Sequence, residues 1–117
     1  MGEVALTVRL RETATARAIV DALPIASRAR LWSDEVSFSV PVSVDLAPDA
    51  KGVIEPGEIA FWTDGQAIAV GFGPTPVSGG DEVRLDAPMN IRGDAEGDAR
   101  ALVTVVSGAP VTVRSAA

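Results

Sequence analysis

The sequence predicts a mainly β domain, a small closed barrel or a sandwich, carrying one or two short helices. Three observations predict it. Apolar residues alternate strictly with polar ones over several short segments. An Asp64-Gly65 pair sits between two apolar runs that match residue for residue when folded back on it. Gly- and Pro-rich stretches separate the segments at short intervals. The chain has 117 residues, 47% of them hydrophobic and 22% charged. One domain over residues 1–117 with a real core is the natural reading.

The elements follow in order. Val4, Leu6, Val8 and Leu10 fall on one side of a period-2 pattern, a half-buried strand. Residues 12–23 read as a helix, because alanines favour it, Thr13 or Thr15 can cap its start, and Pro24 stops it. Ala16, Ile19, Val20 and Leu23 form its apolar face. After the turn-prone Ser33-Asp34 comes the clearest strand, with Val36, Phe38, Val40, Val42 and Val44 on one face and Ser37, Ser39, Pro41 and Ser43 on the other. Pro41 cannot donate to a ladder, so the strand bends, bulges or lies at an edge there. Residues 47–57, with Pro48, Gly52, Pro56 and Gly57, read as a loop.

Asp64-Gly65 is the preferred pair for a two-residue type I′ hairpin turn. Counting outward pairs Trp62 with Ala67, Phe61 with Ile68, Ala60 with Ala69 and Ile59 with Val70. One face then carries Ile59, Phe61, Ile68, Val70 and Phe72, which is core material. The other carries Glu58, Ala60, Trp62, Ala67, Ala69 and Gly71, a tryptophan beside a floor of small residues. A loop over 73–80 follows, then a strand over 87–93 and a turn over 94–98. Residues 99–106 are ambiguous: their β-branched content favours strand, whereas Leu102, Val105 and Val106 fit one helical face after an Asp98 cap. Residues 111–114 form a last strand.

Composition excludes much chemistry. The chain has no cysteine and no histidine, which removes thiolate chemistry, the Ser-His-Asp triad and the commonest metal ligand. Its net charge of -6 argues against nucleic acid or an anionic membrane as partner. The first ten residues lack the continuous apolar run of a signal peptide, and no segment approaches the ~20 apolar residues of a spanning helix. The cytoplasm is the default expectation.

The run Leu23-Pro24-Ile25, Leu31-Trp32, Val36-Ser37-Phe38-Ser39-Val40-Pro41-Val42, Pro56-Gly57-Glu58-Ile59-Ala60-Phe61-Trp62 and Phe72-Gly73-Pro74-Thr75-Pro76-Val77-Ser78 resembles a family of small bacterial and archaeal cyclophilin-like proteins. The likeness extends over most of the chain and is sharpest from Pro56 to Ser78. It implies a closed eight-stranded β-barrel with a short helix over each open end, and so tips residues 99–106 towards helix. That family has no settled activity, and fold alone transfers none. The peptidyl-prolyl isomerases share the barrel and use an arginine in a Phe-His-Arg setting. Here Phe38, Phe61 and Phe72 are flanked by serine, alanine, tryptophan and glycine, so the isomerase motif is absent and no catalytic residue can be assigned.

The leading candidate site is the face of Trp62. On a closed barrel the Phe61 side points in, so Trp62 and Glu58 point out over Ala60, Ala67, Ala69 and Gly71. Such a face suits an extended peptide or a flat small ligand, with Glu58 as polar anchor. The plainer reading is that a loop or helix of the same chain covers it. Beside it, Gly73-Pro74-Thr75-Pro76 is a stiff loop that could display Thr75 and Pro76 next to Phe72; its plainer reading is a rigid corner with a cis bond at Pro74 or Pro76. Asp94, Glu96 and Asp98 lack the full calcium-loop pattern and read as a solvated turn with a helix cap. Arg28 and Arg30 read as an exposed basic stripe. No metal site and no cofactor is expected. The sequence thus favours a binding module with Glu58, Trp62, Phe72, Thr75 and Pro76 at its ligand site. A divergent isomerase or another histidine-free enzyme, and a structural or oligomeric role, are the alternatives.

Overall fold

The computed structural model describes Met1 and residues 4–115. Its elements are β1 (Thr7–Leu10), α1 (Ala14–Ala22), β2 (Ile25–Arg28), β3 (Arg30–Leu31), β4 (Glu35–Ser39), β5 (Lys51–Ile54), β6 (Glu58–Trp62), β7 (Ala67–Gly71), β8 (Val83–Glu96), a 3₁₀ helix (Ala99–Thr104) and β9 (Pro110–Val113). Seven strands form one antiparallel sheet in the order β1-β8-β6-β7-β4-β3, with β5 attached to β8; β2 and β9 form a separate pair. The expected closed eight-stranded barrel is therefore not what the backbone forms: among the described residues no sheet closes. The reason lies at the seam. β1 hydrogen-bonds only to β8, and β9 only to β2, so the first and last strands do not join.

Helix α1 begins where the threonines placed it. Thr13 is the cap, and its hydroxyl accepts from the Ala16 N–H at 3.0 Å, which satisfies one of the donors left free at a helix start. The buried stripe is Thr15, Ala16 and Ile19, whereas Val20 is 44% exposed. Ala16, Ile19 and Leu23 of the expected face do turn inward, while Thr15 joins the buried side in place of Val20 and meets Asn90 of β8 there. The Asn90 amide is 2% exposed. It donates to the Thr15 hydroxyl and the Asp45 carbonyl, and accepts from the Ala47 N–H at 2.6 Å. One buried side chain thus ties helix, sheet and the 45–47 loop together, with its polar groups matched. The cis peptide is Leu23–Pro24, not a bond in the Pro74–Pro76 corner.

The long valine segment leaves the sheet at Ser39. Pro41 stops the ladder, yet Val40 and Val42 are still buried, so the chain bends while keeping its apolar face inward. The β6–β7 register matches the sequence pairing throughout, from Trp62 with Ala67 to Ile59 with Val70. The turn does not. Gln66 has a φ of 48° and Gly65 is not in the left-handed region, so the connection is wider than a two-residue type I′ turn. Residues 94–96, expected in a turn, extend β8, and the 47–57 loop contains strand β5. The 99–106 segment forms the 3₁₀ helix with Asp98 as cap, and buries Leu102 and Val105.

Two apolar clusters result. The larger holds Ile19, Val36, Phe38, Ile59, Phe61, Ile68, Val70 and Leu102 between the sheet, α1 and the 3₁₀ helix. The smaller holds Ile54, Ala60, Ala69, Val83, Leu85 and Met89 on the opposite face of the sheet. Both faces of β6 and β7 are therefore covered, and every residue of β7 is buried.

Candidate functional site

The expected outward face is occupied by this chain. β5 and the first half of β8 lie over Ala60 and Ala69. A Cβ on Gly71 would come within 2.5 Å of Val83 Cγ1 and 3.4 Å of Ile54 Cδ1, so the small-residue floor lets two layers of one chain approach. Trp62 is half-buried at the margin of this cluster. Its indole lies across the turn, where a Cβ on Gly65 would fall within 2.7 Å of Cδ2.

The other members of the expected site are spread out. Glu58 stands four residues before Trp62 on β6, roughly 13 Å away along the strand. It is not an open anchor. Its carboxylate accepts from Lys51 at 2.7 Å, Arg11 at 2.9 Å and the Glu55 N–H at 2.7 Å. Burial pushes the carboxyl up, but those three partners outweigh it and hold the carboxyl below its ordinary range. Phe72 belongs to the larger core cluster. The Thr75 hydroxyl is buried and donates to the Arg84 carbonyl, and Pro76 is exposed. The acids of the expected solvated turn are paired: Asp94 with Arg11, Glu96 with Arg9, and Asp98 with Arg100 and its own helix start.

Two buried charged groups escaped the sequence reading. Glu35, at the start of β4, is 6% exposed and its Oε1 has no hydrogen-bond partner. Burial, and then repulsion from Asp86, push its carboxyl up to about 7. Arg92 is 5% exposed, and its Nε is also without a partner. Burial pushes the guanidinium down to about 10, so it remains a cation near neutrality. Arg92 sits at a bulge. β8 pairs Gly93 with Ile59 and Ile91 with Ala60, so Arg92 is the extra residue between them. Bulges re-aim side chains, and this one brings Arg92 into the lining of the cleft with Ile59 and Ile68. The alternation of Asn90 and Arg92 with Met89 and Ile91 was the available signal. It reads as an ordinary solvated face unless the helix above it is known.

Arg92 lines a cleft of ≈ 750 Å³. The cleft lies at the seam between β1 and β9, and α1 forms a further wall. Ile59, Ile68, Val70 and Phe38 form its depth, while Leu10, Val20, Val113 and Arg114 are also in its walls. Among the described residues no group of three acidic side chains could hold a metal ion, and no helix is long and apolar enough to cross a membrane.

The model of the cyclophilin-like family matches residues 1–114. The chain belongs to the cyclophilin-like family. Its fold is similar to the solution structure of a hypothetical protein from Archaeoglobus fulgidus, at 34% identity and a TM-score of 0.74, covering 97% of this chain and 98% of that one. No curated protein matches the chain at a significant level. The cyclophilin-like assignment carries the fold and no activity.

Proposed function

We propose that this cyclophilin-like chain is a binding module, and that its small-molecule ligand enters the cleft between β1 and β9. The carrying observation is the cleft itself. A seam left open by two unjoined strands reaches apolar side chains of the main core, and ≈ 750 Å³ falls within the ~300–1,000 Å³ of small-molecule sites. Leu10 and Val20, at 40% and 44% exposure, supply further apolar surface.

The outer face around Trp62, Glu58, Phe72, Thr75 and Pro76 is the second reading. The half-exposed Trp62 indole favours it; the engagement of Glu58 and the covered floor leave it less room. A neutral solvatochromic dye such as Nile red separates the two. The cleft reading expects the dye's emission gain to be lost in Val20→Trp, which fills the cleft from an exposed position, and kept in Trp62→Ala. The opposite pattern transfers the site to the outer face. A gain that survives both variants overturns both readings. An isomerase role is checked by a protease-coupled proline-peptide assay, where acceleration surviving repurification would displace the binding module. Sedimentation tests the oligomeric alternative.

A further inference from the structure

We propose that the cleft takes an amphiphilic monocarboxylate, its head group held by the Arg92 guanidinium and its tail lying among Ile19, Ile59, Ile68 and Val70. This rests on the cleft reading above and names its ligand class.

A buried guanidinium is costly unless its donors and its charge are matched. Arg92 is 5% exposed, yet its side chain makes no ion pair and no hydrogen bond among the described residues, and Nε is enclosed without an acceptor. Among the described residues, the acids beside this stretch of β8 are committed elsewhere. Glu58 is held by Arg11 and Lys51, and Asp94 by Arg11. The chain thus holds a cation with vacant donors in an apolar wall, at a bulge that turns it inward.

The chemistry of the missing partner follows. A guanidinium presents a planar fork that fits the two oxygens of a carboxylate. One buried cation balances one negative charge. A phosphate monoester would leave a second charge among isoleucines and valines, and that desolvation opposes its binding. The buried part of the lining, Ile19, Ile59, Ile68, Val70 and Phe38, offers no further side-chain donors, whereas Thr7, Thr112, Arg114 and Ser115 line the cleft from exposed positions, so the part of the ligand that reaches the depth is apolar. An alkyl or aryl tail on a single carboxylate meets all of these conditions.

The test is calorimetric titration of the full chain with octanoate, 1-octanol and octyl phosphate. The wild type should bind octanoate about ten-fold or more tighter than octanol, the scale of a desolvated charged hydrogen bond, and octyl phosphate less well than octanoate. Arg92→Met should abolish the preference for octanoate over octanol, and its thermal midpoint should equal or exceed that of the wild type because an unpaired buried charge is gone. Arg92→Gln serves the same comparison if the methionine variant does not fold. Arg30→Gln, exposed on β3 and outside the cleft lining, should leave the preference in place. Equal binding of octanoate and octanol by the wild type would overturn the carboxylate inference and leave the cleft reading standing. A preference that survives loss of Arg92 would also overturn it. Failure of every octyl compound to bind, with Nile red unaffected by Val20→Trp, would remove the cleft reading itself.

Discussion

Glu35→Gln turns a buried acid into a neutral near-isostere, and its effect should depend on pH in one direction only. The wild-type carboxyl is pushed up to about 7 from an ordinary 4.5, first by burial and then by Asp86. The folded state therefore holds this proton more tightly than the unfolded chain does. Below about pH 4.5 both states are protonated and nothing is lost. Between about 4.5 and 7 the unfolded chain ionises first, so stability falls as pH rises; above about 7 the loss is constant. A shift of this size corresponds to ~3 kcal/mol, and water reaching the site and local relaxation reduce it to about 2 kcal/mol. Glutamine carries no such dependence. The variant should thus gain about 2 kcal/mol over the wild type between pH 4.5 and 8, whatever its offset at the acid end. Urea unfolding of both proteins at pH 4.5, 6 and 8 measures the difference. Taking the difference cancels the opposite trend of Glu58 and Asp94, whose carboxyls are held low. A constant offset across that range, or a wild type that gains on the variant as pH rises, would refute the reasoning.

Other outcomes follow from packing. Gly71→Ala should cost about 1–3 kcal/mol in denaturant unfolding through overpacking against Val83 and Ile54; no cost would mean that β5 and β8 do not lie over this face. Gly65→Ala should destabilise through the Trp62 ring, and become neutral or stabilising in a Trp62→Ala background because Gly65 does not need a positive φ; a double-mutant cycle reads that coupling. Asn90→Ala strands the Ala47 N–H and the Asp45 carbonyl and should cost about 2–3 kcal/mol, with hydrogen exchange accelerating in the 45–47 loop.

What the sequence made legible depended on whether the physics was local. The β6–β7 register was readable because alternation and the count of residues around Asp64-Gly65 determine it together. The turn type was not, since Gln66 rather than Gly65 takes the left-handed conformation. Thr13 and Asp98 were readable as caps because capping needs only a side chain and the next three residues. The sequence left the small-residue floor either open or covered by its own chain, and could not decide because the cover, β5, lies in a stretch punctuated by Gly52 and Pro56. Arg92 was hidden for the same kind of reason. Its position on a strand was foreseeable, but its burial depends on a bulge, on α1 and on the unjoined seam, three features that no window of sequence contains. The resemblance to cyclophilin-like proteins was sound for the family, and it overstated closure because β1 and β9 do not pair.

The most direct test of ligand binding in the cleft is where a bound carboxylate perturbs the protein. Titration of isotope-labelled full chain with octanoate, followed by two-dimensional NMR, reports both faces at once. Binding in the cleft should produce concentration-dependent shifts at Ile19, Ile59, Val70 and the Arg92 side chain, with the Trp62 indole N–H unmoved. Shifts centred on Trp62, with the cleft resonances still, would contradict it.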